Sequence, residues 1–203
     1  MKKNKVSKNW INKQRRDIYV RKSQIDGYRA RSAYKLIEIN EKFKIFKNGL
    51  SIIDLGAAPG SWSQYTAKII KNVRLVSIDL KEMDKIRNTI QIKGDFTEKI
   101  CQDKIKSLFK SKVDVVLSDM AVNTTGIKNI DAIYTGELCK EALYFSKQVL
   151  TKEGKFIAKV FLGTSFNEIV AEAKVNFKEV KVFKPKSSRK DSKESFIICK
   201  KLR

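Results

Sequence analysis

Apolar positions follow two rhythms along this chain. Short apolar runs, as in Ile52-Ile53-Asp54-Leu55 and Val115-Val116-Leu117, alternate with stretches where apolar residues recur every three or four positions. The runs predict strands over 50–55, 73–79, 90–92, 113–118, 155–161, 180–183 and 195–199. The helical spacing predicts helices over 30–46, 61–71, 96–109, 130–150 and 165–177. Strand alternating with helix implies an α/β fold, a mostly parallel seven-stranded sheet with helices on both faces. The last two strands have no crossover helix between them, so they predict an antiparallel hairpin at one edge. No repeat or linker divides the chain, which predicts a single domain over 1–203.

In such a sheet, ligands bind beyond the carboxyl ends of the strands, where strand order reverses. The first strand ends in Asp54-Leu55-Gly56-Ala57-Ala58-Pro59-Gly60, and a helix follows. Glycine lets main-chain N–H groups approach a ligand closely. Gly56 and Gly60 lack the G-x-G-x-x-G spacing of a pyrophosphate cradle, so a compact ligand such as S-adenosylmethionine fits better. Asp79 ends the second strand and has the chemistry to accept two ribose hydroxyls. Asp95 either contacts an adenine amino group or caps the next helix. Asp119 closes the apolar fourth strand and is either a turn residue or a cleft residue. Lys159 interrupts Phe156-Ile157-Ala158-Lys159-Val160-Phe161, where a lysine is expected only if it is paired or snorkels from an edge. Burial would depress its pKa and suit it to act as a base or a fixed cation. Lys35 lies off the apolar face of its helix and reads as a surface lysine. Glu194 reads as a solvated strand start.

Charge adds a partner class. The net charge is +22, and residues 1–31 hold 11 basic and 2 acidic side chains while 181–203 hold 9 and 2. The excess is therefore concentrated at the two ends, which points to a polyanion, most simply nucleic acid. There is no histidine, and Cys101, Cys139 and Cys199 form no C-x-x-C pair. Most zinc sites and histidine-based catalysis are excluded, and no metal is expected. Scattered cysteines fit a reducing compartment, so a cytoplasmic location away from membranes is expected. Cytosine C5 methylation is disfavoured because no Pro-Cys or Thr-Cys pair occurs. Ser118-Asp119-Met120-Ala121-Val122 is not the Asn/Asp-Pro-Pro-aromatic loop of adenine amino methylation.

Taken in order, Arg31-Ser32-Ala33-Tyr34-Lys35-Leu36, the 54–60 loop, Trp62-Ser63-Gln64, Gly94-Asp95-Phe96, Ser118-Asp119-Met120-Ala121, Lys159-Val160-Phe161, Lys184-Pro185 and Ser187-Ser188-Arg189 resemble the FtsJ/RrmJ-type (RlmE) ribosomal RNA 2′-O-ribose methyltransferases. Trp10 and the 17–20 stretch extend the resemblance into the basic N-terminus. Ser61 replaces a usual glycine, and Val122 a usual proline. The resemblance implies a Rossmann-like class I methyltransferase fold. It implies a catalytic tetrad at Lys35, Asp119, Lys159 and Glu194, and S-adenosyl-L-methionine contacts at Gly60, Trp62, Asp79, Asp95 and Asp119. It further implies a monomer acting on a uridine ribose in the ribosomal RNA of the assembled large ribosomal subunit, contacted through a basic RNA-binding extension over 1–29. Methylation of transfer RNA or an RNA cap, and a non-catalytic ribosome-assembly factor, are the alternatives.

Overall fold

The computed structural model describes residues 14–121, 128–163 and 165–203, so Trp10 and Val122 lie outside the described residues. Its elements run α1 (Ile18–Ile25), α2 (Ala33–Phe43), β1 (Ser51–Leu55), α3 (Ser61–Ile69), β2 (Arg74–Asp79), β3 (Thr89–Lys93), α4 (Lys99–Ser107), β4 (Val113–Ser118), α5 (Lys128–Val149), β5 (Leu150–Phe161), α6 (Phe166–Asn176), β6 (Phe177–Phe183) and β7 (Glu194–Leu202). The strands form one seven-stranded sheet in the order β3-β2-β1-β4-β5-β7-β6. The first five are parallel, and β7 runs antiparallel between β5 and β6. Strand order reverses between β1 and β4, as in other doubly wound sheets.

Side-chain alternation assigns each strand residue to one of two cores. Ile53, Val116, Phe156, Ala158, Val160 and Ile197 face α4, α5 and α6. Ile52, Val115, Leu117, Ile157, Phe196 and Ile198 face α2 and α3. Lys159 falls in the same alternation set as Ile157, and Asp119 in the same set as Leu117. Glu194 falls with Phe196 and Ile198. The register, with Lys159 opposite Phe196 and Phe161 opposite Glu194, puts all three on the α2/α3 face.

Several boundaries differ from the sequence expectation. β5 starts at Leu150 rather than 155, directly after α5, and its pairing with β4 shifts between Val113 and Val115. The early part of β5 is polar (Thr151-Lys152-Glu153), so it carries no apolar run to betray it. α1 has no apolar face; it is held by Asp17, whose carboxylate accepts the Tyr19 N–H at 3.1 Å. α2 stops at Phe43 because Lys44 turns left-handed, at φ 50°. α4 begins at Lys99, after Glu98, rather than at 96.

Ile53 is fully buried at the centre of the sheet. Truncation to alanine should cost about 2–5 kcal/mol, read as a lower denaturation midpoint at unchanged slope.

Candidate active site

The loop after β1 turns on Gly56 (φ 69°) and Gly60 (φ 103°). A Cβ on Gly56 would lie 2.3 Å from Met120 Cγ, so the loops after β1 and β4 touch only because this residue is glycine. Beneath the loop, Asp54 is fully buried. Its Oδ2 accepts the Ser63 hydroxyl at 2.5 Å, and the same hydroxyl lies 2.6 Å from Ser77 Oγ. The Asp54 carboxylate thus anchors the start of α3 to β1 and β2. Burial pushes its pKa up to about 7, against the hydrogen bonds from Ser63 and reinforced by the charges of Asp119 and Asp79.

A cleft of about 570 Å³ opens over the carboxyl ends of β1 to β4. Gly56, Asp79, Asp95, Asp119 and Met120 line it, and Leu138 of α5 closes one side. Asp79 fixes the walls: Oδ2 accepts Ala58 N–H at 2.9 Å, and Oδ1 accepts Lys81 N–H at 2.8 Å. An ionised carboxylate has about four acceptor directions, so capacity remains for ligand hydroxyls. Asp95 accepts the Thr97 N–H at 2.8 Å and its hydroxyl at 2.7 Å, both through Oδ1. It therefore forms a local turn while Glu98 takes the cap position of α4, and its side chain still lines the cleft. Asp79, Asp95 and Asp119 along the cleft supply acceptors suited to the hydroxyls and amino groups of a nucleoside bearing a cationic tail.

Two expected contact residues sit differently. The Trp62 side chain is buried away from the cleft: its indole N–H donates to the Ser32 carbonyl at 2.9 Å, and its ring packs on Phe196 at 5.7 Å between centroids. Gly60 is covered by Arg29 and Ile86 rather than lining the cleft.

At the β4–β5 side of the cleft, four charged groups meet. Lys159 Nζ lies 3.0 Å from Asp119 Oδ1 and donates to the Asp119 carbonyl oxygen at 2.7 Å. Lys35 Nζ donates to Glu194 Oε2 at 2.7 Å, and Ser188 Oγ donates to Glu194 Oε1 at 2.7 Å. Lys159 is 7% exposed and Glu194 8%. Burial is the largest influence on Asp119 and favours its protonation, but the charges of Lys159 and Lys35 outweigh it and hold the carboxyl below its ordinary range. Burial likewise lowers the Lys35 amine, yet Asp119 and Glu194 together raise it, so Lys35 stays a cation.

Two sequence expectations are corrected here. Lys35 is not a surface lysine: α2 packs on the central strands, and from its first turn the Lys35 ammonium reaches Glu194 at the start of β7. Glu194 is not solvated. Because β7 is antiparallel, its start lies where β4 and β5 finish. The sequence also gave no sign of the network around Asp17. Arg31 bonds both the Asp17 carboxylate and the Ser187 carbonyl. Arg189 Nε lies 3.5 Å from the same carboxylate, and Glu38 accepts the Lys186 and Ser187 N–H groups. These contacts join α1 and α2 to the β6–β7 loop, a pairing no local pattern encodes. Among the described residues no helix is long and apolar enough to cross a membrane. No cluster of metal-ligating side chains occurs among them either.

The sheet order and the cleft over its reversal point are those of a Rossmann-like α/β fold. The FtsJ-like methyltransferase family model matches residues 28–202, and the chain belongs to that family. It is 77% identical, over the full length of both chains, to a ribosomal RNA large subunit methyltransferase E of Pelagibacter ubique. The protein of the same name from Rickettsia bellii is 46% identical, over 95% of this chain and 88% of its own. A crystal structure from Plasmodium falciparum, described as a ribosomal RNA methyltransferase, superposes with TM-score 0.78 at 34% identity, covering 86% of this chain and 98% of its own.

The raised Asp54 value makes folding depend on pH. Its ordinary value is 3.8, so between there and about 7 the folded chain keeps a proton that the unfolded chain has released. That contribution is fully present below the lower value and is lost as pH rises through the upper one. Asp54→Asn should therefore gain stability relative to the parent chain as pH rises from about 5 to about 8, by at most about 1.4 kcal/mol per pH unit. Denaturation curves at both pH values measure this; parallel profiles would contradict it.

Proposed function

We propose that this chain transfers a methyl group from S-adenosyl-L-methionine to the 2′-hydroxyl of a uridine ribose in large-subunit ribosomal RNA. The observation that carries the reading is the meeting of Lys35, Asp119, Lys159 and Glu194 beside an acid-lined cleft. Similarity over at least 95% of this chain to proteins named as ribosomal RNA large subunit methyltransferases supports the substrate class. The basic ends of the chain supply the phosphate attraction that such a substrate needs.

Asp79 and Asp95 would hold the nucleoside of the methyl donor, with Gly56 allowing the main chain to close over it. When bound, the donor supplies a methyl group already activated by its sulfonium. The remaining work falls on this chain's residues. A ribose hydroxyl is a weak nucleophile until its proton leaves. Lys159 pairs with Asp119 as the cation, and the amine it leaves after releasing a proton to solvent accepts the proton of the hydroxyl. Asp119 fixes the Lys159 amine from two sides, through its carboxylate and its own carbonyl. Lys35 remains a cation and steadies the charge developing on the ribose oxygen. Glu194 holds Lys35 in place and is itself held by Ser188. Fixing the hydroxyl against the donor then removes the entropic part of the barrier. In this reading the chain acts as a monomer in the cytoplasm, where ribosomal subunits are assembled.

Lys159→Ala should lower methyl transfer about 10²–10⁴-fold while donor affinity changes less than about threefold. Labelled methyl transfer to isolated large ribosomal subunits, with transfer RNA as a parallel substrate, tests both parts. Full activity in the variant removes the proposed base, and label on transfer RNA alone moves the substrate.

A further inference from the structure

The segment 27–32, between α1 and α2, lies as a strap across the donor-side loops. Gln64 grips it from α3: Oε1 accepts the Arg29 N–H at 3.1 Å, and Nε2 donates to the Gly27 carbonyl at 2.7 Å. Trp62 grips it again at the Ser32 carbonyl. The Arg29 guanidinium then reaches out and donates to three main-chain carbonyls, those of Pro59 at 3.0 Å, Asp84 at 2.9 Å and Lys85 at 3.1 Å. Pro59 belongs to the loop after β1. Asp84 and Lys85 belong to the connection that leaves β2 just after Asp79. The guanidinium lies against Gly60, where a Cβ would come within 2.8 Å of Arg29 Nη1.

Arg29 is the last residue of the basic segment that the sequence assigned to RNA. Its geometry argues for another task. A guanidinium offers its donors in one planar fork, and here the fork faces carbonyls of two loops that frame the cleft. Donors so occupied are withdrawn from phosphate. Gln64 and Trp62 fix the main chain from which the fork extends, so the arrangement is built from both ends. We infer that Arg29 is a positioning residue for the methyl donor: it ties the loop after β1 to the connection after β2 and so sets the width of the donor cleft. This rests on the methyl-donor reading above, and it concerns donor binding rather than RNA binding.

The test is calorimetric titration of S-adenosylhomocysteine into the parent chain, Arg29→Ala and Arg29→Lys, with steady-state kinetics on large ribosomal subunits alongside. In Arg29→Ala the dissociation constant should rise about tenfold, with kcat at saturating donor within about twofold of the parent and KM for the subunit unchanged. Arg29→Lys should recover only part of the affinity, since one ammonium cannot span three carbonyls set for a fork. Its melting curve also shows whether the fold is intact without the guanidinium. Parent-like donor binding in Arg29→Ala overturns the inference. So does a defect confined to subunit KM with a shallower salt dependence, the mark of a lost phosphate contact. Failure of the parent chain itself to bind S-adenosylhomocysteine would instead sink the donor reading on which the inference stands.

Discussion

Buried charge has to be balanced, and the balance around Asp119 organises this molecule. A carboxylate at the end of an apolar strand is tolerable only if cations reach it. Lys159 does so from the neighbouring strand, and Lys35 contributes from α2. Two lysines against one carboxylate would leave an excess cation, and Glu194 offsets it from β7. Each group therefore depends on the other three, and each comes from a different element. Loss of any one leaves a largely buried charge without its partner, a strongly destabilising kind of polar substitution.

The sheet makes that meeting possible through one reversal of direction. β4 and β5 deliver Asp119 and Lys159 at their carboxyl ends, as parallel strands do. A further parallel strand would end at the same edge, after its apolar run. An antiparallel β7 instead begins there, so Glu194 arrives before the core residues Phe196, Ile197 and Ile198 rather than after them. The β6–β7 loop is thereby drawn over the site, where Ser188 reaches Glu194 and Arg31 bonds Ser187. The lower half of the cleft depends on a different device. Asp54, buried beneath the β1 loop, anchors α3 so that Gly56 and Met120 can touch.

Legibility from sequence followed the locality of each cause. Strands buried on both faces are written as short runs dominated by apolar residues, so β1, β2 and β4 were readable nearly to the residue, Val113–Ser118 without error. The start of β5 was not, because it is polar and its pairing with β4 is irregular. Lys159 was visible because it breaks an apolar run, a conflict that singles the residue out without assigning it a task. Lys35 and Glu194 were invisible to periodicity: nothing local says that a lysine on one helix turn reaches the start of β7 or that one strand runs backwards. Their positions could be named only through resemblance to a family. The partners of the Trp62 indole, Ser32 and Phe196, were likewise not legible, since they lie thirty residues before it and on strand β7.

The central claim is that the Lys159 amine faces a ribose hydroxyl. A structure of this chain with S-adenosylhomocysteine and a ribosomal RNA fragment tests it most directly. The account predicts the 2′-oxygen of one splayed nucleotide within about 2.6–3.2 Å of Lys159 Nζ, on the side of the amine away from Asp119. A nucleobase edge in that place, with the ribose turned out to solvent, would contradict it.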